Sequence, residues 1–231
     1  MQRHHHRRAE TIAPSKRRRW RSLALPAAML AVALAGTGRA DAMDRSGAPR
    51  GDVAAKLGYC KDCHGLSAQG YHGYYPIPRL AGQQPEYLEN QLRAFVEHRR
   101  TNNIMFNVAH ALSPPMMAAL AAHFQSLNPS PIGGGPRERV AAGRAIFQDG
   151  VPDANIAACA ACHGPEATGS GDIPRLAGQL YPYLIGKLVN WDKERGQVPA
   201  RPDTSAIMSP IAHSLNKSQV EAVAAYLSYQ K

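Results

Sequence analysis

The four cysteines of this chain fall into two copies of one pattern: Cys60, Lys61, Asp62, Cys63, His64, Gly65 and Cys159, Ala160, Ala161, Cys162, His163, Gly164. Two thiols three positions apart can add to the two vinyl groups on one edge of a porphyrin. The histidine that follows at once is then held beneath the iron as an axial ligand. Cys-x-x-Cys-His is therefore the pattern of c-type heme attachment, and two copies imply two covalently bound heme c groups. Exported proteins also use four cysteines for two disulfides, and paired cysteines can share a zinc ion. The His-Gly after each pair and the lack of an alternating strand and helix pattern weigh against redox disulfides. The wide separation of the pairs in sequence weighs against a shared zinc site.

A sixth ligand is then needed on each iron, and methionine suits a cytochrome whose potential is raised for electron transfer. Met208 is the only methionine after Met117, and Met105 is its counterpart. Ala109 and Leu112 follow Met105 as Ala212 and Leu215 follow Met208. Met116 and Met117 read as core filler at a helix start. His110 and His213, five residues after the two methionines, are competing ligands, whereas His72, His98 and His123 have no counterpart and suit surface or packing roles. The second nitrogen of each axial histidine needs a fixed acceptor, for which the carbonyls of Pro78 and Pro174 are candidates. Arg79 and Arg175 could pair with heme propionates, a solvated surface charge being the alternative. Tyr71, Tyr74, Tyr75, Tyr181 and Trp191 are expected to pack in the heme pockets.

The elements that must position these groups are written twice. Ile77, Pro78, Arg79, Leu80, Ala81, Gly82, Gln83 returns 96 residues later as Ile173 to Gln179, with seven identities in seven. The cysteine motifs recur at 99 residues and the methionines at 103, a drift that loop insertions produce. Ordered agreement of this kind marks an internal repeat. Asn128, Pro129, Ser130, Pro131, Ile132, Gly133, Gly134, Gly135, Pro136 reads as the linker between copies, with the boundary near residue 131. Helical spacing dominates both units. It predicts helices over Pro85 to Arg99 and Pro182 to Trp191, over Met116 to Leu127 and Ser218 to Tyr229, over Arg139 to Phe147, and a short one around Val53 to Leu57. Ser218 with Glu221 reads as the cap of the last helix. No alternating strand pattern appears, so the fold class is all-α. Each unit is a small domain that gains from something buried at its centre.

The basic excess of the chain is concentrated in the first 42 residues, where nine Lys and Arg face only Glu10 and Asp41. Of the 27 basic and 17 acidic side chains, 18 and 15 therefore remain in the rest, a net of +3. The high overall pI is thus no argument for nucleic-acid binding. A basic run ending at Arg21, an apolar stretch from Leu23 to Gly36 and small residues at Ala40 and Ala42 read as a signal peptide cleaved after Ala42. The apolar stretch is shorter than the roughly 20 residues of a spanning helix, so a retained anchor is the secondary reading. The twin-arginine route is disfavoured because heme attachment needs an unfolded chain beyond the membrane. His4, His5 and His6 add polarity to the export segment. The expected domains are 43–131 and 132–231.

These residues resemble the diheme cytochromes c4 over essentially the whole mature chain. The resemblance rests on two Cys-x-x-Cys-His-Gly motifs, two Pro-Arg-Leu-Ala-Gly-Gln segments and two methionines ahead of an Ala and Leu pattern. It implies two tandem cytochrome c domains related by approximate two-fold symmetry, with their hemes close enough to exchange electrons. By this match Cys60, Cys63, His64 and Met105 serve the first heme, and Cys159, Cys162, His163 and Met208 the second. It also implies a periplasmic carrier, not an enzyme, between a quinol-oxidising complex and a terminal oxidase or reductase, with peripheral membrane association and a monomeric state as further expectations. Two departures are the aromatic insertion Tyr71 to Tyr75 and the even division of mature charge, +2 before residue 129 and +1 after it. Docking by one strongly charged face is therefore not expected. The alternatives are a cytochrome subunit of a dehydrogenase, such as a sulfide-oxidising flavoprotein, and a diheme peroxidase, which needs an open iron.

Overall fold

The computed structural model describes residue 43, residues 47–195 and residues 204–231. The export segment, its cleavage after Ala42 and the His4 to His6 run lie outside the described residues.

Alanine, lysine and leucine after Asp52 favour a helix, and α1 runs over Arg50–His64, straight through the first cysteine motif. The expected short helix at Val53 to Leu57 is thus only its middle. It stops at Gly65, whose φ of +87° is open to glycine. Three further helices complete the first repeat: α2 (Pro85–Val96), α3 (Asn103–His110) and α4 (Pro114–Gln125). Proline opens α2 and α4, where a missing N–H costs nothing. α2 ends before Arg99, with His98 at φ +57°.

The second repeat opens with a 3₁₀ turn, Arg137–Arg139, and α5 (Val140–Asp149). Gly150, at φ +78°, ends α5, and a further 3₁₀ turn at Pro152–Ala154 precedes the second motif. That motif therefore sits on its own short helix, α6 (Ala160–His163). The element expected over Pro182 to Trp191 is two helices, α7 (Tyr181–Val189) and α8 (Trp191–Glu194), broken at Asn190. α9 (Ser205–Ser214) and α10 (Lys217–Tyr229) follow. The cap of α10 is Asn216, not Ser218. Its side chain accepts from Gln219 N–H while Gln219 accepts from the Asn216 N–H, a complete capping box.

Among the described residues the only extended pairing is four isolated bridges, so the all-α class holds. No single described helix is long and apolar enough to cross a membrane. Each repeat has its own apolar core. The first gathers Leu88, Leu112, Met116, Met117, Leu120 and Phe124. The second gathers Phe147, Leu184, Val223, Ala224, Tyr226 and Leu227.

Candidate heme sites

Both axial-histidine candidates end helices and point inward, His64 at 8% exposure and His163 at 5%. In each repeat the loop after the motif folds back in the same way. The N–H of Gly70 donates to the His64 carbonyl, and that of Gly169 to the His163 carbonyl, both at 2.9 Å. Buried Ala68, at φ +56°, offers its carbonyl to the N–H groups of Leu80 and Ala81, and Ala167, at φ +52°, does so for Leu176 and Ala177. These bonds lay the Ile-Pro-Arg segment against the histidine. The His64 ring then donates from Nδ1 to the Pro78 carbonyl at 2.8 Å, and the His163 ring to the Pro174 carbonyl at 2.9 Å. With Nδ1 engaged, Nε2 is the nitrogen left to bind a metal. Burial holds both imidazoles below the usual histidine range, the carbonyl bond partly opposing it. The neutral form, the one that can donate a lone pair, is favoured.

All four cysteines are unpaired. Cys60 and Cys159 are partly buried, and burial pushes both thiols up, while Cys63 and Cys162 are exposed. The disulfide alternative is therefore not realised.

Met105 and Met208 both lie in the first turns of helices that periodicity had not assigned, α3 and α9. α3 is capped by Asn102, whose Oδ1 accepts from the Met105 N–H at 2.9 Å. α9 has no side-chain cap and carries Pro210 inside it. The two competing histidines are exposed and engaged elsewhere. His110 belongs to a stack with Phe106 and His98, and His213 pairs with Asp192. Met116 and Met117 are buried in the first core.

Arg79 is not a solvated surface charge: it is 4% exposed, and Arg175 is half-buried. Each curls back so that its Nε donates to a nearby carbonyl, Ala81 at 2.9 Å and Ala177 at 3.1 Å. Each also reaches the other repeat: Arg79 Nη1 lies beside Gly178, and Arg175 Nε beside Gly82. Burial, and then the Arg175 charge, pull the Arg79 guanidinium down to about 10. Its Nη1 is buried with no hydrogen-bond partner, which fits a heme carboxylate. Tyr71, Tyr74 and Tyr75 stand out from the protein at 59%, 91% and 79% exposure. The insertion folds back on itself, with an isolated bridge between Tyr71 and Ile77. Trp191 packs under the Arg195 guanidinium and donates its indole N–H to the Ser205 carbonyl.

Two further groups lie outside the cysteine and methionine motifs. Gln83 and Gln179 each grip the backbone of the other repeat. Arg100 and Arg195, both buried, converge on Gln91 Oε1 at 2.9 and 2.7 Å, and Arg100 also donates to the Tyr183 hydroxyl at 2.8 Å. Each stacks on an aromatic ring of its own repeat, Phe95 and Trp191. The sequence held a signal for both: the glutamines close the seven-residue identity, and Phe95 and Trp191 share the same 96-residue offset.

The Cytochrome c family model matches residues 51–129 and again 140–231. Cytochrome c-552 of Acidithiobacillus ferridurans is 38% identical over 175 residues, 73% of this chain and 72% of that protein. The thiosulfate dehydrogenase electron acceptor of Thiomonas intermedia is 34% identical, over 74% of this chain and 78% of its own length. A solved cytochrome c4 from Acidithiobacillus ferrooxidans superposes with a TM-score of 0.62 at 38% identity, covering 74% of this chain and 98% of that one. The free cysteine pairs, the buried histidines and the doubled family match fit two covalently attached hemes. This chain belongs to the cytochrome c family, among the diheme cytochromes c4, and is an electron carrier.

Proposed function

We propose that His64 with Met105 would hold the first heme iron and His163 with Met208 the second, which would leave neither iron open to a substrate. The observation that carries this reading is the matched pair of bonds from Nδ1 to Pro78 and Pro174. It fixes each ring and leaves Nε2 for iron. Support for the methionines comes from their equivalent helical positions and from the engagement of His110 and His213 elsewhere. Bound heme supplies a one-electron couple between ferric and ferrous iron. The chain holds the ligands, keeps the imidazoles neutral and, through Arg79 and Arg175, offers positive charge to propionates. Held by two protein ligands, each iron would pass electrons without turning over a substrate, which would separate the protein from a peroxidase.

The carrier works in the periplasm after cleavage behind Ala42, as a monomer with domains 43–131 and 132–231, between a quinol-oxidising complex and a terminal oxidase or reductase. The relative named as the electron acceptor of thiosulfate dehydrogenase favours a second reading, in which the donor is a dehydrogenase of a reduced sulfur compound.

The visible spectrum and pyridine hemochrome of the matured protein test the site. Two hemes per chain, a methionine-to-iron band and no carbon monoxide binding are expected; a high-spin component would overturn closed coordination. Met208→Ala is expected to leave the second heme attached, lower its potential and open it to carbon monoxide. An unchanged spectrum would mean that another residue ligates the iron. Reduction by a purified quinol-oxidising complex, compared with a thiosulfate or sulfide dehydrogenase, discriminates the donors.

A further inference from the structure

The segment that gives each axial histidine its acceptor is held by the opposite repeat. Gln179 turns its side-chain amide onto the backbone of Arg79. Its Oε1 accepts from the Arg79 N–H at 2.8 Å and its Nε2 donates to the Arg79 carbonyl at 3.1 Å. Gln83 treats Arg175 in the same way, at 2.7 and 3.0 Å. Each glutamine thus pairs with a residue about a hundred positions away as a neighbouring strand would. Both are buried. Each is braced in its own repeat, because Oε1 also accepts from the next N–H, that of Gln84 at 2.9 Å or Leu180 at 3.0 Å.

The N–H that Gln179 receives belongs to the same peptide unit as the Pro78 carbonyl, and that carbonyl accepts from His64. An acceptor on the N–H side of an amide polarises the unit, and chained hydrogen bonds strengthen one another by about 10–30% per bond. A more negative Pro78 oxygen draws the Nδ1 proton more strongly. That makes the imidazole a stronger donor and favours ferric iron. The same chain runs from Gln83 through the Arg175 N–H and the Pro174 carbonyl to His163.

We propose that Gln83 and Gln179 are positioning residues that set the heme potentials crosswise. The glutamine of the second repeat holds down the potential of the first heme, and that of the first repeat holds down the second. This rests on His64 and His163 being the axial ligands. Domain docking and the electronic environment of each iron are then one structure, because the contact that joins the repeats also tunes both ligands.

The test uses the full two-heme protein, with the potential of each heme followed separately through its assigned heme-methyl resonances in a redox titration. Gln179→Met replaces the amide with a chain of similar length that cannot accept strongly. It is expected to raise the first potential and leave the second in place, and Gln83→Met to do the reverse. Gln179→Glu keeps the size and supplies a stronger acceptor, so it is expected to shift the first heme the opposite way. It also decides the matter if Gln179→Met fails to retain both hemes. Gln84→Leu removes the interface bonds to the Thr168 and Gly169 carbonyls without touching either arginine, and is expected to move neither potential. A shift in the heme of the glutamine's own repeat, equal shifts in both, or no shift with both hemes attached overturns the proposal. Labelled histidine resonances separate the two readings. If the iron-shifted rings are not those of His64 and His163, the ligand assignment fails and the inference with it. If they are, and the crosswise pattern is missing, only the clasp inference fails.

Discussion

The two repeats reach the same heme motif by different packing. In the first, one continuous helix carries the chain into the cysteines, and His64 is its only buried residue. Gly51 and Gly58 of that helix have open space where a Cβ would point. In the second, α5 lies hard against α10: Phe147 is fully buried, and a Cβ on Gly143 would stand 1.9 Å from the Ala222 carbonyl oxygen. The chain then leaves the helix at Gly150 and reaches the cysteines through a loop. A helix that runs on into the motif fixes the cysteines by its own hydrogen bonds. A helix that stops short must be docked tightly before the loop beyond it has a fixed origin.

The contrast breaks most sharply at Gly143. Overpacking costs typically 1–3 kcal/mol, and here the neighbour is backbone, which cannot rotate away. Gly143→Ala is therefore expected to destabilise the second domain by about 3 kcal/mol or more, read as a lowered thermal midpoint. A change of less than about 0.5 kcal/mol would mean the helices separate freely.

The post-motif loops give the next effect. At Gly169, φ +68°, a Cβ would come within 2.2 Å of the Ile173 carbonyl oxygen and 2.5 Å of the Pro174 carbonyl carbon. At Gly70 the nearest atoms are the Ile77 carbonyl oxygen at 2.8 Å and the Arg79 nitrogen at 2.9 Å. Strain from φ adds about 1–2 kcal/mol at either site. Gly169→Ala is expected to cost about 3 kcal/mol and Gly70→Ala about 2, compared by denaturation of the two variants; the reverse order would place the tighter loop in the first repeat.

The methionine helices differ more gently. Asn102 caps α3, whereas Thr204 makes no cap bond to α9. Asn102→Ala is expected to cost about 1 kcal/mol and Thr204→Ala to cost nothing measurable in the same thermal melt. Smallest is Gly58→Ala, which fills open space in a helix interior and is expected to stabilise by about 0.5–1 kcal/mol. A loss there would show that α1 is packed as closely as α5.

Much of the site was legible because a repeat supplies its own alignment. Seven identities pointed to Pro78 and Pro174 as acceptors, and the structure brings both carbonyls within hydrogen-bond distance of the histidines. Helix ends were less legible. Ser218 with Glu221 satisfies the same capping pattern as Asn216 with Gln219, and the choice fell to the pair at which the chain turns into α10. The Pro182 to Trp191 periodicity hid a break at Asn190, since apolar spacing continues across a kink.

By itself the sequence determined the covalent chemistry, the two hemes and the doubling of an all-helical unit. Attachment depends on a local spacing of three residues, and a repeat on comparison along the chain. The tertiary structure decided what Gln83, Gln179, Arg79, Arg175, Arg100 and Arg195 do. Each of them has at least one partner in the opposite repeat. A hydrogen bond between residues about a hundred apart exists only after both domains have folded and docked, so no local pattern could have assigned it.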